Sequence, residues 1–272
     1  MNSANSIEFI RPASVPRRFR AVVFDWDGTL SLLREGWAAI MTEQMLDGLC
    51  AAGIGPSERD SGLIESIVVG MNGQPTIVQM QAFAEAARQR GGAAIDADIQ
   101  LSEYHRRLMS LVQGRYDSIR NGQAQPSEWA MPGARAFLER LRSQNLPVIV
   151  LSGTSKDQIR KEADLLDLSP LVDDWHAPIG DDPSFSKRQA LEKLLRDRGL
   201  NGDNLLAFGD GVVETETVKQ LGGFTVAVAG QEPPARGVNS AKRERLIRAG
   251  ADAVIADFEA FDQWLPLLIA EA

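Results

Sequence analysis

Four apolar runs constrain the fold most: AVVF at 21–24, VIVL at 148–151, LLAF at 205–208 and TVAVA at 225–229, with a shorter AVI at 253–255. None alternates with polar residues. Continuous β-branched and large apolar runs of this length read as strands buried on both faces of a parallel sheet. Helical periodicity separates the later ones, over 134–144, 156–166, 187–198 and 213–221. Strand–helix alternation predicts βαβ crossovers and an α/β, doubly wound, Rossmann-like core.

The interval between the first two runs is different. Helical patterns dominate it, over 35–52, 57–69, 76–89 and 98–116, punctuated by Pro56, the Gly70–Pro75 stretch and Gly91-Gly92. This predicts an all-helical domain, residues 31–130, inserted into a core made of residues 1–30 and 131–272. Met131-Pro132-Gly133 closes the insert, with Pro132 expected in the first turn of the next helix.

Composition removes several function classes. The net charge is −8 and the pI about 5.0. The densest basic stretch, Lys242-Arg243-Glu244-Arg245, reads as a solvated helix face, so no nucleic-acid partner is expected. A single cysteine, Cys50, excludes an internal disulfide and a cysteine metal site, and fits a reducing, cytoplasmic setting. Lying beside Leu49 and Ala51, Cys50 is expected to be a buried small hydrophobe. Two histidines are too few for a histidine-built zinc site. No apolar stretch is long enough to span a bilayer, so no membrane partner is expected, and nothing in the sequence fixes an oligomeric state.

The residues just beyond each run carry the chemistry. The first run ends on Asp25-Trp26-Asp27-Gly28-Thr29, the second on Ser152-Gly153-Thr154, and the third on Gly209-Asp210-Gly211 with Glu214 close behind. Lys187 opens the helix that precedes the third run. Ligands of parallel sheets gather beyond the carboxyl ends of the strands. These strand ends would therefore bring four carboxylates together, where two unit charges 4 Å apart repel by about 4 kcal/mol near a protein surface. A divalent cation with oxygen ligands, Mg²⁺ above all, relieves that repulsion, and Lys187 adds one more positive charge. The Ser152 hydroxyl and the N–H groups of residues 152–154 could clamp phosphoryl oxygens. Together these are the parts of a phosphoryl-transfer site.

The motifs DWDGT at 25–29, LSGT at 151–154, Lys187 and GDGVVE at 209–214 resemble the four motifs of the haloacid dehalogenase-like superfamily. The resemblance covers nearly the whole chain from about Arg20 and extends to the helical insert, which is similar to the cap of phosphoglycolate-phosphatase-like members. It implies a Mg²⁺-dependent phosphatase acting on a small phosphorylated metabolite, such as a sugar phosphate. Asp25 would be the nucleophile and Asp27 the general acid and base. Ser152 and Lys187 would assist catalysis. Asp25, Asp210 and the main-chain carbonyl of Asp27 would hold the metal. Glu214 stands where an aspartate is usual and would act directly or through water. Thr29 and Gly153 would lie against substrate. Asp27 argues against a dehalogenase. A phosphomutase of the same fold and a catalytically idle phospho-ligand binding module are the alternatives.

Several residues carry two readings. Asp25 and Asp27 could merely form an Asx-capped turn, and Ser152 could be a plain N-cap. Lys156 competes with Lys187 but reads as part of a solvated face. Arg34 either meets an anionic substrate group or forms a surface pair with Glu35. Asn72, Gln74 and Thr76 either touch substrate or form an interhelix turn with Thr76 as N-cap. Trp26 either packs in the core or lines the site. Asp173 and Asp174 read as a turn.

Overall fold

The computed structural model describes residues 7–11, 16–55, 58–71, 75–180, 182, 184–232 and 235–270. Along them run β1 (Glu8–Phe9), β2 (Ala21–Phe24), α1 (Trp37–Ala51), α2 (Glu58–Val68), α3 (Thr76–Gln89), α4 (Ala97–Arg120) and α5 (Ala134–Ser143). Next come β3 (Val148–Leu151), α6 (Lys156–Leu165), β4 (Asp174–His176), α7 (Lys187–Asp197), β5 (Leu205–Gly209), α8 (Val212–Gln220), β6 (Phe224–Val228), α9 (Ser240–Arg248), β7 (Ala253–Ile255) and α10 (Phe261–Leu268). The fold is the α/β, doubly wound arrangement expected.

The chain divides into two compact units. One comprises the residues up to Leu33 together with those from Ser118 onward; the other is Arg34–Asp117. The first holds the sheet, whose order among the described residues is β1-β7-β6-β5-β2-β3-β4. Every neighbouring pair is parallel except β1 with β7. Both faces of β2 are covered, which is why its sequence does not alternate. Ala21 and Val23 pack with Leu191, Leu194 and Leu195 of α7 and Val218 of α8. Phe24 meets an aromatic cluster, stacking on Phe208 with ring centroids 5.1 Å apart and packing edge-on to Phe137 of α5 and to Phe258.

Strand order reverses beside β2. The chain goes from β2 to β3 to β4 on one side, then returns through α7 to place β5 on the other. Such a reversal leaves a crevice at the carboxyl ends of the two strands that flank it. The connections to the inserted segment pair with each other here. Leu32 N–H donates to the Trp129 carbonyl at 2.8 Å and Met131 N–H to that of Leu30 at 3.0 Å. That pairing is why residues 118–130 cluster with the sheet.

The second unit consists of α1, α2, α3 and most of α4, around a core that includes Met45, Leu49, Ile64, Phe83, Val112 and Tyr116. Cys50 is exposed rather than buried, because the inward positions of α1 fall on Met41, Met45, Gly48 and Leu49.

Three further expectations need correcting. Asp174 is not in a turn but opens β4, and Asp173 instead accepts from the Val148 N–H at 2.8 Å. Pro132 lies before the N-cap of α5 rather than in its first turn. The N-cap is Gly133, at φ 75°, where a Cβ would meet Phe258 and Glu259 backbone. Thr76 is the first residue of α3, and Pro75 occupies the N-cap position.

Candidate active site

Asp25 leaves β2 in register, its N–H donating to the Phe208 carbonyl of β5 at 2.9 Å. Its Oδ1 accepts from the Trp26 N–H at 2.8 Å. The Trp26 ring points away into the core: it is fully buried, and its Nε1–H donates to Glu162 Oε2 at 2.7 Å. Glu162, on α6, is itself fully buried. This resolves Trp26 as packing and makes the Trp26–Glu162 bond an anchor for the loop between the two aspartates.

The chain then turns tightly. The Trp26 carbonyl accepts from Leu30 and Ser31 at 2.9 Å each, and the Gly28 N–H donates to the Ser31 carbonyl at 2.9 Å. Gly28 sits at φ 70°, and a Cβ there would lie 2.4 Å from Asp210 Oδ2. Glycine is therefore required twice, for its left-handed backbone and for the approach of a carboxylate. Gly28→Ala is expected to lower kcat/KM by about 100-fold, since displacing Asp210 by a fraction of an ångström spoils the site geometry. Steady-state kinetics of the purified variant, with circular dichroism to establish folding, check this.

Lys187 is the first residue of α7. Its Nζ lies 2.9 Å from Asp25 Oδ2 and 3.5 Å from Glu214 Oε2. Burial works against its charge, but the Asp25 and Glu214 carboxylates outweigh burial and hold the ammonium above its usual value. Lys156 makes no such contact among the described residues. Asp210 follows the last residue of β5, and Glu214 lies in the first turn of α8. One carboxylate oxygen from each of Asp25, Asp210 and Glu214 falls within 4.8 Å of the others. Burial pushes the Asp25 carboxyl well above the usual range, and the Glu214 and Asp210 charges add to it while Lys187 opposes them. Burial raises Asp210 likewise, against the pull of Lys242.

Sequence reasoning missed Lys242. It belongs not to a solvated face but to the site, with Nζ 3.3 Å from Asp210 Oδ2. The signal was available: α9 begins just after the loop at the carboxyl end of β6, so its first turn faces the ligand side of the sheet. Asn239 caps that turn by accepting from the Lys242 N–H at 3.0 Å.

The loop after β3 is partly self-satisfied. Ser152 N–H donates to the His176 carbonyl at 3.0 Å, and Thr154 N–H to Ser152 Oγ at 3.0 Å. Two of the three N–H groups expected to clamp a ligand are thus already engaged, while Gly153 is exposed. Ser152 is an internal turn bond acceptor, not the N-cap of α6, which is Ser155. Thr154 Oγ1 donates to Asp27 Oδ2 at 2.7 Å, tying this loop to the second aspartate. Thr29 is fully buried, and its hydroxyl has no hydrogen-bond partner among the described residues. Arg34 belongs to the helical unit. Asn72 and Gln74 lie outside the described residues.

The donor set fits a hard divalent cation. Three carboxylates converge, and Glu214 Oε1 is buried without a hydrogen-bond partner. Two ammoniums, Lys187 and Lys242, face the three carboxylates of Asp25, Asp210 and Glu214, which leaves room for a cation to complete the charge balance.

A family model described as a hydrolase, haloacid dehalogenase-like hydrolase, matches residues 19–222. No curated protein matches the chain in sequence. Solved structures share the fold. One from Haemophilus somnus, described as a predicted phosphoglycolate phosphatase, is 14% identical with a TM-score of 0.61, over 92% of this chain and all of that one. A hydrolase from Pseudomonas syringae is 19% identical with a TM-score of 0.60 over the same shares. A β-phosphoglucomutase from Clostridium difficile is 13% identical with a TM-score of 0.57, over 91% of this chain and 99% of that one. Among the described residues no helix is long and apolar enough to cross a membrane.

Proposed function

Since the chain belongs to the haloacid dehalogenase-like hydrolase family, we propose that it is a Mg²⁺-dependent phosphatase for a small phosphorylated metabolite, with Asp25 as the nucleophile. The observation that carries this reading is the meeting of Asp25, Lys187, Asp210 and Glu214 at the carboxyl ends of β2 and β5, with Asp27 two residues from the nucleophile. A binding module needs an anion site. It does not need a buried carboxylate held against an ammonium at 2.9 Å.

In this reading an Asp25 oxygen attacks phosphorus, forming an aspartyl-phosphate as the ester P–O bond breaks. Asp27 gives its proton to the departing oxygen, then takes one from the water that cleaves the acyl phosphate. Two carboxylates two residues apart therefore do opposite jobs at different moments. Lys187 favours the ionised form of Asp25 against its burial, orients it, and gives positive charge to the transferring group. Asp25, Asp210 and the Asp27 carbonyl would hold Mg²⁺, with Glu214 near enough to join them, and the ion would supply charge neutralisation to the phosphoryl oxygens. Thr29, Ser152 and Gly153 are assigned to the phosphoryl group. Arg34, Asn72 and Gln74 of the helical insert are assigned to substrate selection.

The test is inorganic phosphate release from a panel of sugar phosphates, phosphoglycolate and nucleoside monophosphates, with and without Mg²⁺. Metal-dependent release from at least one class is expected. Absence of release, with isomerisation of a hexose phosphate once a bisphosphate activator is added, would replace the phosphatase by a phosphomutase. Binding without any turnover would leave the idle module.

A further inference from the structure

We infer that Thr154 is the positioning residue of the general acid, fixing the Asp27 carboxyl for proton transfer through its hydroxyl. The inference deepens the phosphatase reading and rests on it. Thr154 Oγ1 donates to Asp27 Oδ2 at 2.7 Å, a contact spanning 127 residues of sequence between the loops at the ends of the adjacent strands β2 and β3. The donor is itself held. Ser152 Oγ accepts from the Thr154 N–H at 3.0 Å, and the Ser152 N–H is fastened to β4 through the His176 carbonyl at 3.0 Å. The acceptor is held as well, by the 26–31 turn and the bridge between Asp27 and Ser31. A rigid donor therefore meets a rigid carboxyl, so that the hydroxyl selects one rotamer of the Asp27 side chain.

The chemistry assigns the two oxygens different work. A hydroxyl that donates to Oδ2 directs the transferable proton to Oδ1. In the first step that O–H bond breaks, its proton passes to the ester oxygen, and the P–O bond electrons stay with the same oxygen. In the second step the carboxylate recovers a proton from water as the water oxygen bonds to phosphorus and the bond from phosphorus to the Asp25 oxygen breaks, its electron pair returning to the Asp25 carboxylate. Thr154 exchanges no proton in either step.

A general acid matters in proportion to the basicity of the leaving oxygen, which provides a readout that a merely structural role would not move. Phenyl phosphate releases a phenolate as basic as a tyrosinate, with a conjugate-acid pKa of about 10. 4-Nitrophenyl phosphate releases a much weaker base that departs without help. For Thr154→Val, kcat/KM is expected to fall about tenfold on phenyl phosphate and less than about twofold on 4-nitrophenyl phosphate. Thr154→Ser, which retains the hydroxyl, is expected to restore phenyl phosphate turnover to within about threefold of the parent. An equal loss on both substrates, or a serine variant as impaired as valine, would mean that the threonine only supports the loop. Undiminished turnover of phenyl phosphate by Thr154→Val would also overturn the inference. Asp25→Asn assayed alongside separates the two levels: if it stays active the nucleophile assignment falls, and the inference with it. If it is dead while Thr154→Val matches the parent, only the inference falls.

Discussion

Asp25→Asn is expected to reduce turnover by about 10⁴-fold or more while leaving the protein folded, because an amide oxygen is a far weaker nucleophile than the carboxylate it replaces. The same substitution is expected to leave thermal stability unchanged or to raise it in chelator at neutral pH. Burial beside Glu214 and Asp210 holds the Asp25 carboxyl well above its ordinary value. A group whose pKa is raised on folding favours the folded state while protonated. That contribution is lost progressively as pH rises above the ordinary carboxylate range towards the folded pKa, so at neutral pH the buried carboxyl opposes folding and the amide does not. An inactive variant with a melting temperature at or above the parent's is the predicted pair of results. Substantial residual activity would show that another residue attacks phosphorus. A large drop in melting temperature would show that the Lys187 ion pair stabilises the fold more than burial of its partner opposes it.

Removal of divalent metal is the second large effect. EDTA is expected to suppress phosphate release by about 10³-fold or more, with recovery on adding excess Mg²⁺. Neutralisation without a cation is incomplete, since Lys187 and Lys242 between them face the three carboxylates of Asp25, Asp210 and Glu214. The cation should therefore also stabilise the fold, by about 2.7 kcal/mol at a hundred times its dissociation constant. Differential scanning fluorimetry across a Mg²⁺ titration reads this directly, and Asp210→Asn should flatten the response. Full rates in EDTA would discard the metal assignment; a Mg²⁺-dependent melting shift that survives Asp210→Asn would move the ion elsewhere.

Much of this site is legible in the sequence alone. Buried strands announce themselves by continuous apolar runs, and β2, β3 and β7 coincide with theirs residue for residue. The motif residues were legible too, because all but Lys187, which opens α7, follow closely on a strand end. What escaped has no local sequence signal and needs the topology. β4 is three residues, Asp174-Trp175-His176, half-exposed at the sheet edge, and its aspartate reads as a turn former. Lys242 sits in a run of charges with Arg243, which pairs with Glu8 at the surface. Only the direction of α9, set by the topology, tells the inward lysine from its neighbours. Thr154 was legible as a loop member, but its hydroxyl contact with Asp27 needed the two loops placed side by side.

The central position of β2 has a consequence for how the protein is made. β2 is an early element of the chain, yet its neighbours in the sheet are β3 and β5, and more than a hundred residues separate it from β3. At about 5–20 residues per second, roughly 6–25 s of synthesis pass before β3 leaves the ribosome. Throughout that interval Ala-Val-Val-Phe is a strand without a sheet, the kind of segment on which chains aggregate. Arg17, Arg18 and Arg20 flank it on one side and Asp25 and Asp27 on the other. Charges that flank an apolar run oppose such association, and in the nascent chain the two aspartates would act in that way before any site exists.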